Sequence, residues 1–148
     1  MFILVADHGG FAMKETLKEW LSQEYGQIIL DCTPVKVAGD DYPVLAKQAA
    51  IEVKKAGDDV RVIALCRSGA GIAMAMNRFR YIRAVQGWSV AEVKRARVDE
   101  DVNVVTIGAD LQSLATTKKI IKTFLEKSFE PQERRVRRIK ELSSYGQA

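Results

Sequence analysis

The chain has 148 residues, 47% hydrophobic and 28% charged, with a net charge of +4 and a pI near 9.1. This is an ordinary composition for one soluble globular domain with a substantial core. No apolar run approaches the roughly 20 residues needed to span a bilayer, and the start MFILVADHGG lacks the basic region and cleavage site of an export signal.

Residues 1–6, MFILVA, form a continuous apolar run, the pattern of a first strand buried on both faces. Asp7, His8, Gly9 and Gly10 end it. FAMKETLKEWLSQEYG then sets Phe11, Leu17, Trp20 and Leu21 on one helical stripe and stops at Gly26. QIILDC (27–32) reads as strand two and DYPVLAKQAAIEVKKAG (41–57) as a helix with Pro43 in its first turn. DVRVIALC (59–66) is strand three and GIAMAMNRFR (71–80) the next helix. YIRAVQGW (81–88) gives strand four, SVAEVKRARVDED (89–101) a helix and VNVVTIGA (102–109) strand five. The long amphipathic segment LQSLATTKKIIKTFLEKSF (111–129) is closed by Pro131, and ERRVRRIKELSSYG (133–146) is the last helix. Regular alternation predicts an α/β fold: a Rossmann-like three-layer αβα sandwich around a five-stranded parallel sheet, one domain over residues 1–148. Trp20 and Phe124 are expected in the core, Met74 and Met76 are expected to pack behind a glycine turn, and Trp88 belongs either to the core or to a pocket lining.

Two cysteines, no CxxC and a single histidine argue against structural zinc and for free thiols in a reducing cytoplasm. The positive charge gathers in RRVRRIK, where Arg134, Arg135, Arg137, Arg138 and Lys140 crowd together. Such a run marks a solvated helix face, an anionic substrate or nucleic acid. No aromatic-interleaved RNA motif or recognition helix accompanies it, so neither nucleic acid nor membrane is expected as a partner.

In open parallel sheets, ligands bind outside the carboxyl ends of the strands. Asp7 and His8 follow strand one there, and Cys66–Gly71 follow strand three. Ser68, Gly69, Ala70 and Gly71 have little side-chain bulk, so a ligand can approach their backbone. Their N–H groups open a helix, where unpaired donors favour an anion. The Lys-Ser/Thr of a Walker A loop is absent. Cys66 at this turn is either a small buried hydrophobe or a thiol whose thiolate the helix start favours as base or nucleophile. Asp99 to Asn103 is expected in the turn leading into strand five. Cys32 lacks a glycine turn and reads as packing.

At this point the motifs match a known family. ADHGGF (6–11), DYP (41–43), CRSGAGIAMAMNR (66–78), IRA (82–84), DVNVVTIGA (101–109) and a C-terminal FE…RRV follow the order and spacing of ribose-5-phosphate isomerase B and the galactose-6-phosphate isomerase subunits. The chain resembles these proteins nearly end to end. The resemblance implies a metal-free, cofactor-free aldose–ketose isomerase of a small sugar phosphate, working through a cis-enediolate. It also implies a homodimer or tetramer with active sites between subunits, and residues 132–148 as a basic helix or tail at that interface. By matching position, Cys66 is the base, Ser68 assists at the sugar oxygens, and Gly69, Ala70 and Gly71 cradle the enediolate. Asp7, His8 and Tyr42 line the sugar, and Arg135 contacts phosphate.

Four departures qualify the match. The family's ring-opening histidine aligns with Asp99, and the asparagine after it with Glu100. A phosphate-binding arginine aligns with Asp110. The family's GGRH stretch is shortened to Pro131-Gln132-Glu133 before Arg134. Arg67 stands where glycine is usual, as a further anion contact or as a solvated side chain. Loss of the histidine fits an open-chain substrate such as a tetrose or tetrulose phosphate, and Asp99 is a candidate base in its place. The rival reading is a catalytically silent sugar-phosphate binding protein on the same scaffold.

Overall fold

The computed structural model describes residues 1–26, 29–57 and 59–145. Its strands are β1 (Phe2–Ala6), β2 (Ile29–Asp31), β3 (Arg61–Cys66), β4 (Ala84–Gln86) and β5 (Val104–Gly108). The helices are α1 (Phe11–Tyr25), α2 (Tyr42–Ala56), α3 (Ala70–Met76), α4 (Val90–Glu100), α5 (Leu114–Glu126) and α6 (Glu133–Leu142). The five strands are all parallel in the order β2-β1-β3-β5-β4, the architecture expected from the alternating pattern.

Alternate side chains of each strand feed two cores. Ile3, Val5, Val62, Ala64, Cys66 and Val104 pack toward α2 and α3. Phe2, Leu4, Ala6, Ile63, Leu65, Val105 and Ile107 pack with Leu17 and Leu21 of α1, Val93 of α4, and Ile120, Ile121 and Phe124 of α5. Burial on both faces is why β1, β3 and β5 read as near-continuous apolar runs, interrupted only by Arg61 at the start of β3 and Thr106 in β5. Each large side chain so buried contributes about 1.5–3 kcal/mol. Helix α6 buries no residue and packs mainly on α4.

The elements are shorter than the sequence pattern suggests, for local reasons. Strand β4 starts only at Ala84, because the Ile82 N–H closes a turn onto the Phe79 carbonyl and the Arg83 N–H donates to Asn103 Oδ1. Helix α3 ends at Met76, where the Asn77 side chain turns to pair with both backbone groups of Ala84. Gln27 and Ile28 of the expected second strand and Gly146 of the last helix lie outside the described residues. Met76 is fully buried but Met74 is 64% exposed, so only Met76 packs as expected. Trp20 is half-buried and Trp88 lies exposed on the surface.

Two charged side chains occupy interior positions that the apolar stripe does not reveal. Lys14 of α1 is fully buried; its Nζ lies 2.7–2.8 Å from the Asp31 carboxylate oxygens and donates to the Thr33 carbonyl at 2.8 Å. Arg97 of α4 is also buried, bonded to Asp101, the Val102 carbonyl and the Lys127 carbonyl. These partners satisfy the two charges and tie α1 to β2 and α4 to the approaches of β5 and α6.

Candidate active site

Strand order reverses between β1 and β3: from β1 the chain steps outward to β2, then crosses to β3 on the other side. The crevice outside the carboxyl ends at such a point is the expected ligand site. The Asp7 N–H bonds the Leu65 carbonyl at 3.2 Å, holding the loops after β1 and β3 side by side.

On the β1 side, Asp7 is buried, and its Oδ1 accepts from the N–H groups of Gly9 (2.9 Å) and Gly10 (3.0 Å). One carboxylate oxygen therefore braces the turn that opens α1. His8 is anchored twice to Asp40 Oδ1, through its backbone N–H at 2.7 Å and its ring Nδ1 at 2.8 Å. With Nδ1–H donating to Asp40, Nε2 remains available to a ligand. Asp40 was not legible as a site residue, since it lies 32 positions from His8 in an irregular loop.

On the β3 side, the buried Cys66 accepts a 3.0 Å bond at Sγ from the Gly69 N–H. This contact directs a backbone N–H dipole at the sulfur. Gly69 has φ +79°, and a Cβ there would lie 3.0 Å from the backbone of Ile107 and Gly108. The Ala70 N–H points to Ser68 Oγ at 3.3 Å, and Gln86 Nε2 donates to the Ser68 carbonyl at 2.5 Å. A Cβ on Gly71 would strike the Tyr42 ring at 2.8 Å, so Tyr42 lies directly over the turn. Asp7, His8, Tyr42, Cys66, Ser68, Gly69, Ala70 and Gly71 thus share one edge of the sheet.

Two of the departures from the family pattern meet here. Arg67 packs its stem over Gly9, where a Cβ would fall 2.5 Å from Arg67 Cγ, and its Nη1 lies 3.3 Å from Asp110 Oδ2. Both side chains are mostly exposed. Asp110 therefore does not stand as an unbalanced negative charge at this rim.

Asp99 and Glu100 do not join this edge within one chain. They lie in the last turn of α4 rather than in a turn after it. Helix α4 leaves the carboxyl edge after β4 and returns to the amino end of β5, a run of roughly 16 Å at 1.5 Å per residue. Arg135 accompanies Asp99, its Nη2 2.5 Å from Asp99 Oδ1. Glu100 lines a separate cavity of about 380 Å³ between β4, α4 and α6, with Arg80, Arg83, Leu142 and Tyr145. Of the sequence-predicted site residues, the loops after β1 and β3 are brought together, while Asp99, Glu100 and Arg135 gather at the opposite edge.

This is an open parallel α/β sheet with a thiol and a glycine turn at its switch point. The Ribose/Galactose Isomerase family model matches residues 2–142. The chain is 29% identical over 147 residues to a D-erythrulose-4-phosphate isomerase 2 of Mycolicibacterium smegmatis, covering 97% of this chain and 95% of that one. It is 30% identical to a probable ribose-5-phosphate isomerase B of Mycoplasma genitalium, over 96% of this chain and 93% of that one. A crystal structure of the Mycoplasma genitalium ribose-5-phosphate isomerase B with bound ribulose-5-phosphate superposes with a TM-score of 0.90 at 30% identity, covering 97% and 94% of the two chains. The Thermotoga maritima ribose 5-phosphate isomerase also gives a TM-score of 0.90, at 27% identity and 97% coverage of each chain. The chain belongs to the Ribose/Galactose Isomerase family of sugar-phosphate isomerases.

Proposed function

We propose that this isomerase interconverts an aldose and a ketose phosphate through a cis-enediolate, with Cys66 as the base and no metal or cofactor. Cys66 takes the proton from C2 of the open-chain aldose and returns it at C1 of the enediolate, while the hydroxyl proton passes between O2 and O1. Negative charge develops on the enediolate oxygen as the C–H bond breaks. The Gly69–Gly71 turn meets that charge with backbone N–H groups, and Ser68 assists at the sugar oxygens. Asp7, His8 and Tyr42 hold the sugar, and Arg67 lies at the rim paired with Asp110. The observation that carries the reading is Cys66 Sγ, 3.0 Å from the Gly69 N–H, at the switch point of the sheet.

The second group of site residues completes the pocket from another copy of the chain. Asp99, Glu100 and Arg135 lie on the edge opposite Cys66, so one chain alone leaves the anionic end of the sugar without Arg135. Helix α6 also presents Val136 and Leu142 to solvent at 46% and 51% exposure, an apolar stripe suited to a partner surface. The basic segment expected over residues 132–148, of which residues 146–148 lie outside the described residues, is thus the interface segment of a homodimer, alone or within a tetramer. A reducing cytoplasm suits the two free thiols.

The preferred substrate is a four-carbon sugar phosphate, which has no stable pyranose ring to open. An acid in place of a ring-opening histidine supports this, as does similarity to a protein described as an erythrulose-4-phosphate isomerase. Coexpressing Cys66→Ala and Arg135→Ala chains tests the shared site. Cys66→Ala alone should be inactive and Arg135→Ala about tenfold weaker in kcat/KM, and random pairing should restore about a quarter of the wild-type sites at full strength. No recovery in mixed dimers would overturn the shared-site reading.

A further inference from the structure

The end of α4 and the start of α6 hold a charged cluster that has no part in the chemistry at Cys66 within its own chain. Arg135 Nη2 lies 2.5 Å from Asp99 Oδ1, and Nη1 bonds the Glu130 carbonyl at 3.0 Å and approaches its Oε2 at 3.3 Å. Arg95 Nη1 is 3.8 Å from Asp99 Oδ2. The Arg135 side chain is only 13% exposed, although its helix buries no residue. Charge pairing rather than apolar packing therefore fixes this arginine.

The geometry of Asp99 argues its role. Oδ1 is buried, and despite its closeness to Nη2 it makes no well-aligned hydrogen bond, so the contact is ionic. Oδ1, the oxygen next to Arg135, is thereby committed to the guanidinium, while Oδ2 has, among the described residues, only the 3.8 Å approach of Arg95 Nη1. Arg135 Nε, by contrast, has no hydrogen-bond partner among the described residues. The cluster borders an open cavity of about 490 Å³, lined also by Lys94. A long side chain held in place before binding loses less rotamer freedom when its ligand arrives. The lining is mixed in charge, with Lys94, Arg95 and Arg135 beside Asp99 and Glu130, and a guanidinium that keeps an unused N–H can still take a phosphate oxygen.

We infer that Asp99 is a positioning residue: it holds the Arg135 guanidinium for the anionic end of the substrate and is not a base that opens a sugar ring. This rests on the isomerase reading above and assigns a task to the acid that replaces the family's histidine. Asp99 and Arg135 act as one unit, so removing either removes the same contact.

The test compares wild type with Asp99→Ala, Asp99→Asn, Arg135→Ala and the double alanine variant. The substrates are a ring-forming pentose phosphate and an open-chain tetrulose phosphate. Asp99→Ala should raise KM about tenfold for both sugars, the loss of one charge-assisted contact, with kcat within about twofold. Asp99→Asn, whose side-chain oxygen still faces Arg135, should recover part of the loss. The double variant should be no worse than Arg135→Ala alone. A fall in kcat confined to the ring-forming sugar, with KM unchanged, would identify Asp99 as a base and overturn the inference. So would full additivity in the double variant. Should wild type turn over neither sugar, the isomerase reading fails on its own, and NMR titration with inorganic phosphate decides the positioning role. Equal weakening of phosphate binding by Asp99→Ala and Arg135→Ala supports the role, and unchanged binding refutes it.

Discussion

Substituting Gly69 by alanine separates the backbone's contribution to stability from its contribution to the reaction. Gly69 has φ +79°, a conformation that costs an L-residue roughly 1–2 kcal/mol. The added Cβ would lie 3.0 Å from Gly108 N and from the Ile107 carbonyl carbon. Both neighbours are backbone atoms of the interior strand β5, so the turn must give way rather than the strand. Crowding of this kind adds about 1–2 kcal/mol, for a total near 2–4 kcal/mol. At this chain length that lowers Tm by about 6–12 °C and leaves the protein folded at 25 °C. The same movement displaces the Gly69 N–H from Cys66 Sγ and turns a donor of the cradle away, and loss of one such donor should cost about 100-fold in kcat. Gly26→Ala is the matched control. Its φ is +56° with nothing within 4 Å of the added Cβ, so it should lose about 1–2 kcal/mol and keep wild-type kcat. Thermal melts and steady-state kinetics on the two variants give the answer. A folded Gly69→Ala enzyme with kcat within twofold of wild type would refute the cradle argument.

Other expectations concern buried groups. Lys14→Met should destabilise by about 3–5 kcal/mol in urea titration, because it strips a buried partner from Asp31. Burial pushes the Asp31 carboxyl up, but hydrogen bonds from Lys14, Lys18 and the Thr33 N–H outweigh it and hold the group below its ordinary value. The resulting stability is present above about pH 3.9 and is lost as pH falls through the lower folded value. Asp31→Asn should therefore be weaker than wild type at pH 7, and the gap should narrow by pH 3. Burial and the nearby Glu52 and Asp31 carboxylates, offset in part by Lys14, push the Cys32 thiol up to about 11. In a Cys66→Ala background, Cys32 should alkylate slowly at pH 8, with about one thiolate in a thousand, and faster with each rise in pH. Mass spectrometry after iodoacetamide treatment reads this directly.

The strands and their order of use were legible because burial on both faces leaves runs such as FILVA and RVIALC almost without polar interruption. The edge bearing Cys66 was legible for a similar reason. The thiol, the serine and the glycines fall within the six residues 66–71, and the switch-point rule places them together with Asp7 and His8. Contacts between distant positions were not. His8 meets Asp40 and Lys14 meets Asp31 across 32 and 17 residues, and no periodicity records such pairs. Lys14 sits on the buried side of a helix whose apolar stripe predicts only Phe11, Leu17, Trp20 and Leu21. The pairing of Arg67 with Asp110 spans 43 residues; read separately, each was a departure from the family pattern, and together they are one ion pair. Asp99 was expected beside the catalytic edge because its turn precedes strand five. A helix that returns to the amino end of the sheet places it at the far side, next to Arg135.

The most direct test of the account is solvent-deuterium exchange, followed by NMR, for wild type and Cys66→Ala incubated in D2O with four- to six-carbon sugar phosphates. Enediolate chemistry with a cysteine base predicts deuterium at C1 or C2 of a true substrate, even where net conversion is small, and none with Cys66→Ala. Undiminished exchange by Cys66→Ala would contradict the role given to the thiol. Binding without exchange by the wild-type protein would mean that this scaffold holds sugar phosphates without isomerising them.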